Sequence, residues 1–209
     1  MWWCVFATMV AGVCSAAAAD RGEQPELIDR TLALVAGQAI TLSDARATMA
    51  LGLIEIPKAG DPIAGAANQL VDRELVLREV QRYAPPAPEQ AAVNARLDDI
   101  RTRFPSPAAL AAVLEAHGFT EARLHAWVQD DLRTEAYLAQ RFASASLPSD
   151  TEVSAAYNRQ RAEFEKAGQT FEQAAPSVRE RLIASRRAEL VADWLSELRR
   201  RTDVVILAQ

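Results

Sequence analysis

Thr31-Leu32-Ala33-Leu34-Val35-Ala36-Gly37-Gln38-Ala39-Ile40-Thr41-Leu42-Ser43-Asp44 is the stretch whose reading decides the fold. Leu32 to Val35 is a short apolar run, Ala36-Gly37-Gln38 carries a turn glycine, and Ala39-Ile40 returns as a second strand. Thr41 and Ser43 are candidate helix N-caps. Asp44, three residues after Thr41, is placed to complete a capping box. At the other end, Asp203-Val204-Val205-Ile206-Leu207 is a β-branched strand. A lone terminal strand cannot satisfy its own backbone, so its natural partner is the opening hairpin. Both ends of the mature chain are therefore expected to meet in one small sheet, with the intervening helices making a mainly α, multi-helix core.

Helical periodicity fills the space between. The first helix is expected from the Thr41 cap to about Glu55, with a break over Pro57 to Pro62. Asn68 to Tyr83 has a wide apolar face of Leu70, Val71, Leu75, Leu77 and Val80. Ala84-Pro85-Pro86-Ala87-Pro88 is a stiff turn before a more polar helix, Glu89 to Arg103. Ser106 caps a helix ending at His117-Gly118, where the glycine suits a left-handed C-terminal position. Thr120 caps the next, which runs to about Phe142. Ser149-x-x-Glu152 opens another, reaching about Phe164. Thr170-x-x-Gln173 offers a third box, but Pro176 moves the expected start of the long last helix toward Ser177; its end is near Arg200.

The chain has 209 residues, 50% hydrophobic and 24% charged, with a net charge of −5. That composition excludes wholesale disorder. The acidity argues against a nucleic-acid partner, which would require a basic face. Met1 to Ala19 (residues 1–19) has no charged side chain, and Ala17-Ala18-Ala19 reads as an A-x-A cleavage site, so this segment is expected to be a secretory signal peptide. An uncleaved anchor is the alternative, disfavoured by the weakly hydrophobic Ala/Ser/Gly second half. Cleavage would leave residues 20–209 without stable membrane insertion. Both cysteines, Cys4 and Cys14, fall inside the signal, so the mature chain would contain neither a disulfide nor a thiolate nucleophile.

Catalytic signals are sparse. His117 and His125 sit on different expected helices and lack further ligands at matched spacing, so no metal, cofactor or catalytic residue is assigned. There is no G-x-S-x-G, no Walker A loop and no G-x-G-x-x-G. Asp130-Asp131 are helix neighbours about 100° apart and read as a solvated face. The arginines of the last helix alternate with Glu180, Glu189, Asp193 and Glu197 and read the same way.

The segment Asp29 to Asp44 resembles the opening of the SurA-type periplasmic chaperones, with a strand, a V-N-G/D turn, a second strand and S-D entering the first helix. Gln69 to Glu79 is similar to that family's L-I-x-x-x-L-L-x-x-E helix. Gly118 to Leu124 is similar to its G-x-x-x-x-x-L step, and Leu147 to Tyr157 to its I-x-x-x-E-V-x-x-x-Y step. Phe171 to Leu198 followed by Val204-Val205-Ile206 resembles its closing helix and strand. The resemblance divides the mature chain into an N-terminal part, 28–164, and a closing helix and strand, 171–208. Only Asn158 to Thr170 lies where the family usually inserts parvulin domains, which is too short for that fold. The resemblance thus implies a periplasmic, ATP-independent chaperone core without prolyl isomerase activity. Its partners would be unfolded or nascent exported polypeptides, outer-membrane β-barrel proteins among them. A noncatalytic helical adaptor or assembly subunit on the same scaffold is the alternative, since a fold does not fix a function. An isomerase label would rest on family likeness alone.

Such a holder needs apolar surface in a concave face. Met49, Leu53, Ile54, Phe104, Leu110, Phe119 and Trp127 are the candidate client-binding residues. Each also fits ordinary core packing on an apolar helix stripe.

Overall fold

The computed structural model describes residues 29–56 and 59–207. The expected signal peptide lies outside them. The described chain is mainly α with one small antiparallel sheet, in the order β1 (Thr31–Val35), β2 (Gln38–Thr41), α1 (Leu42–Ala50), α2 (Pro62–Tyr83), α3 (Gln90–Thr102), α4 (Pro107–Ala116), α5 (Glu121–Arg141), α6 (Asp150–Arg159), α7 (Arg161–Lys166), α8 (Phe171–Arg201) and β3 (Val204–Ile206). The strand order is β2-β1-β3. The two ends do meet: Ala33 faces Ile206, Leu34 faces Val205 and Val35 faces Val204.

The hairpin turn is tighter than expected. Gln38 belongs to β2, and only Ala36 and Gly37 connect the strands. Both have positive φ, +46° and +85°, the requirement of a two-residue primed turn. Thr41 is the N-cap of α1: its side chain accepts from the Asp44 amide, and Asp44 accepts from the Thr41 amide at 3.0 Å. Ser43 does not cap; its hydroxyl and amide both donate to Asp29. The helix stops at Ala50, well before Glu55, because Gly52 takes the left-handed conformation at φ +63°.

Other boundaries shift for identifiable reasons. Pro62 opens α2 instead of breaking the chain, with Asp61 accepting from the Ile63 amide. Gln160 separates α6 from α7, where one continuous helix was expected. Pro176 lies inside α8, which begins at Phe171. So near a helix start, the ring removes a single intrahelical bond, the one its amide would have made to Glu172.

Two apolar cores lie side by side. The first joins Leu32, Ala33 and Val35 of β1 and Ile40 of β2 to Leu70, Val71 and Leu75 of α2 and Leu198 of α8. The second joins Ala47 and Leu51 to Val93, Leu97 and Ile100 of α3, Leu110 and Leu114 of α4, and Leu124 and Val128 of α5. A third, smaller cluster seats α6 on the first half of α8 through Val153, Tyr157, Ala174 and Val178. The 31-residue α8, about 46 Å long at 1.5 Å per residue, thus ties that satellite to the sheet.

Candidate functional site

The structure places the seven apolar candidates in or against the two larger cores. Leu110 and Phe119 are buried in the second core, with Leu53 and Phe104 half-buried against it. Met49 and Ile54 are half-buried against the first core, and Trp127 packs against both. Met49, Leu110 and Trp127 lie on the apolar faces of α1, α4 and α5, and Leu53, Ile54, Phe104 and Phe119 lie in the connections between helices. The two histidines are not brought together. His117 sits in a hollow with Ser43 and Arg46, and His125 in another with Leu97 and Arg101. Among the described residues, no group of three or more His, Cys, Asp or Glu is placed to hold a metal ion. No described helix is long and apolar enough to cross a membrane.

Leu110 also borders the hollow at His125, and Trp127 borders a larger cleft, of about 230 Å³, between β2, α1, α2 and α5. Ala39 and Ile40 form one wall; Asp44, Arg73, Glu74, Arg123 and Asp130 supply its charge. Most of that charge is spent on ion pairs: Arg123 with Asp44, Glu74 with Arg78 at 3.0 Å, and Arg73 with Asp131 behind the wall. The Arg73 guanidinium also lies 3.6 Å over the Trp127 ring and donates to the Trp127 carbonyl at 3.2 Å. Asp131 is therefore not on a solvated face as its sequence suggested. Burial pushes its carboxyl above the usual range, against the opposing pull of Arg73. Burial likewise lowers the Arg73 guanidinium, against the pull of Asp131. Arg73 with Asp131 and Trp127 locks α2 to α5, and Arg123 with Asp44 ties α5 to α1; among the described residues the cleft brings no nucleophile against a base.

The arginines of α8 are also more structured than expected. Arg199 meets Asp72 at 2.7 Å and Arg201 meets Glu79 at 2.9 Å, binding α8 to α2. Arg179 meets Asp150 at 2.6 Å and Arg186 meets Glu152, binding α8 to α6. Glu152 serves twice, since it also accepts from the Ser149 amide and hydroxyl. The Ser149 hydrogen bonds, then Arg186, bring its carboxyl down to about 2.

Ile56, Tyr83, Leu147 and Phe171 are exposed one at a time, and the one consecutive exposed apolar run among the described residues lies on β3 and the residue after it. Val205, Ile206 and Leu207 are 41%, 47% and 53% exposed and consecutive. Only β1 pairs with this strand, so its other edge is free among the described residues. The backbone register shows which groups face outward. The Ala36 amide donates to the Asp203 carbonyl at 2.7 Å, and the Leu207 amide to the Leu32 carbonyl at 2.9 Å. Antiparallel pairs alternate, so Val205 bonds inward to Leu34 while the N–H and C=O of Val204 and Ile206 point away from β1. Val204 keeps its side chain against the first core, and Val205 stands on the opposite face beside half-buried Leu34. Proteins commonly guard such an edge with lysine, proline or a bulge; β3 is Val-Val-Ile, in regular register with β1. The sequence signal for this site was the unbroken apolar run Val204 to Leu207, without the polar alternation of a strand that has a wet face. No family model and no curated protein matches this chain.

Proposed function

We propose that this protein is a periplasmic, ATP-independent chaperone that holds unfolded exported polypeptides, extended outer-membrane strands among them, and performs no bond chemistry. The observation that supports this reading is the exposed apolar strand β3, with Val205, Ile206 and Leu207 unshielded on a rigid helical frame. The run pairs with β1 through its backbone while its side chains stay largely in water, and contiguous exposed apolar surface favours an interaction site. The ordered likeness of Asp29–Asp44, Gln69–Glu79, Leu147–Tyr157 and Phe171–Ile206 to the SurA-type core adds the compartment and the class of client.

The test is turbidity of a β-barrel protein diluted from urea, with and without an equimolar amount of the mature chain and with no nucleotide. The expected result is a slower rise in scattering. Failure to slow it at equimolar ratio overturns the chaperone reading. A stable complex with one folded partner, without any effect on aggregation, assigns the chain to the adaptor class instead.

A further inference from the structure

We propose that the outer edge of β3 is the docking edge, where an extended segment of a non-native polypeptide adds as a fourth strand by bonding to the backbone of Val204 and Ile206. This rests on the chaperone reading above and names its site. The N–H and C=O of those two residues point away from β1 and meet no described partner. An incoming strand satisfies them with its own backbone, as in other cases of strand addition, so the readout does not depend on client sequence. Its apolar side chains lie beside Val205 on one face and Ile206 on the other, both exposed.

The dimensions of the edge select this occupant over a second copy of the chain. β3 has three residues, about 10 Å of strand at 3.3 Å per residue. Edge-to-edge pairing of two copies over that length covers a few hundred Å², well under the ~1,200 Å² of a stable protein interface. A short, weak contact with an unfolded chain has no such requirement, and it releases without an energy source.

The test is binding of the mature chain to a short labelled peptide of alternating Val and Thr, followed by fluorescence anisotropy. Its counterpart, N-methylated on every amide, has the same side chains and no backbone donors on either edge. The methylated peptide is expected to bind about tenfold more weakly or less, from the lost backbone bonds. Ile206→Pro removes an outward donor and leaves the β1 ladder intact, because the Ile206 amide does not face β1. That variant is expected to keep the wild-type melting temperature and lose the same affinity, while Ile206→Val binds as wild type. If Ile206→Pro does not fold, the methylated peptide carries the test on the wild-type chain. Equal binding of the two peptides by a wild-type chain that suppresses aggregation overturns strand addition and leaves the chaperone reading standing. A sedimenting dimer dissolved by Ile206→Pro gives the edge to a second copy and overturns the proposal. So does a photocrosslink from position 207 into residues 1–28 of the same chain.

Discussion

Removing the Asp131 carboxylate sets two opposed electrostatic effects against each other. Arg73 and Asp131 have side chains 15% and 27% exposed and join α2 to α5. Truncating one member of a buried pair costs about 3–5 kcal/mol, because the other charge is left unpaired away from water. Water reaches a quarter of Asp131, and Arg73 keeps the Trp127 carbonyl and ring, so Asp131→Ala is expected to cost about 2–3 kcal/mol. Asp131→Asn is a different perturbation. The carboxyl is held above its usual range because burial penalises its charge more than Arg73 stabilises it. A neutral amide oxygen still accepts from Arg73, so the asparagine variant is expected within about 1 kcal/mol of wild type at pH 7. Replacing both, as Arg73→Met with Asp131→Leu, removes both desolvation penalties and is expected to fall within about 1 kcal/mol of wild type as well. Urea unfolding followed by far-UV circular dichroism measures all four chains. With a slope near 2 kcal/mol/M, Asp131→Ala moves the midpoint down by about 1 M or slightly more. The reasoning fails if Asp131→Ala unfolds at the wild-type midpoint, since the pair would then be solvated. It fails equally if the double variant is less stable than Asp131→Ala.

Three further outcomes test the fold. Leu198→Ala, at 1% exposed in the core that joins α8 to the sheet, is expected to cost about 3–4 kcal/mol by calorimetry. Thr41→Ala deletes the acceptor for the Asp44 amide and is expected to cost about 1 kcal/mol by thermal melting, with Thr41→Ser restoring most of it. Glu152 is held down at about 2 from an ordinary value of 4.5, so its contribution is present above pH 4.5 and is lost as the pH falls toward 2. Amide exchange of α6 is therefore expected to accelerate over that window more than exchange of α5; Glu152→Gln should flatten the difference.

Local chemistry made much of the frame readable in the sequence. The boxes Thr41/Asp44 and Ser149/Glu152 are satisfied within a few residues, so spacing alone locates them. The sheet was readable because an unpaired strand at Val204 is untenable and only the opening hairpin was available. The errors fell where a residue's role depends on its exact place in a helix. Pro62 at a first turn starts α2, Pro176 just past one is tolerated, and Gly52 overrides the apolar periodicity that continues through Leu53 and Ile54. The site was less legible for a more basic reason. A stripe such as Leu124, Trp127 and Val128 of α5 reports that a face is apolar, and burial is decided by which element arrives opposite it. Val205 to Leu207 carry the same apolar signal as Leu32 to Val35. They differ only because β1 occupies the centre of the sheet and β3 its margin, a placement set by residues some 170 positions apart in the chain.

The length of β3 reconciles an open edge with a protein that must not aggregate. A long, flat apolar edge recruits further copies of itself, and very short edge strands are one of the devices that prevent this. The three residues of β3, pinned by Val204 in the core and by the Asp203 carbonyl at the turn, offer too little backbone for copies to propagate. They still offer two residues' worth of outward donors and acceptors to an extended chain. An unfolded barrel strand exceeds that footprint and so remains free along most of its length. Lengthening β3 with further Val-Thr repeats after Leu207 is therefore expected to tighten client binding and, past a few residues, to make the chain itself associate. Sedimentation and anisotropy on the same series would separate the two effects. Tighter binding without self-association at any length would show that something other than strand length keeps this edge from pairing with itself.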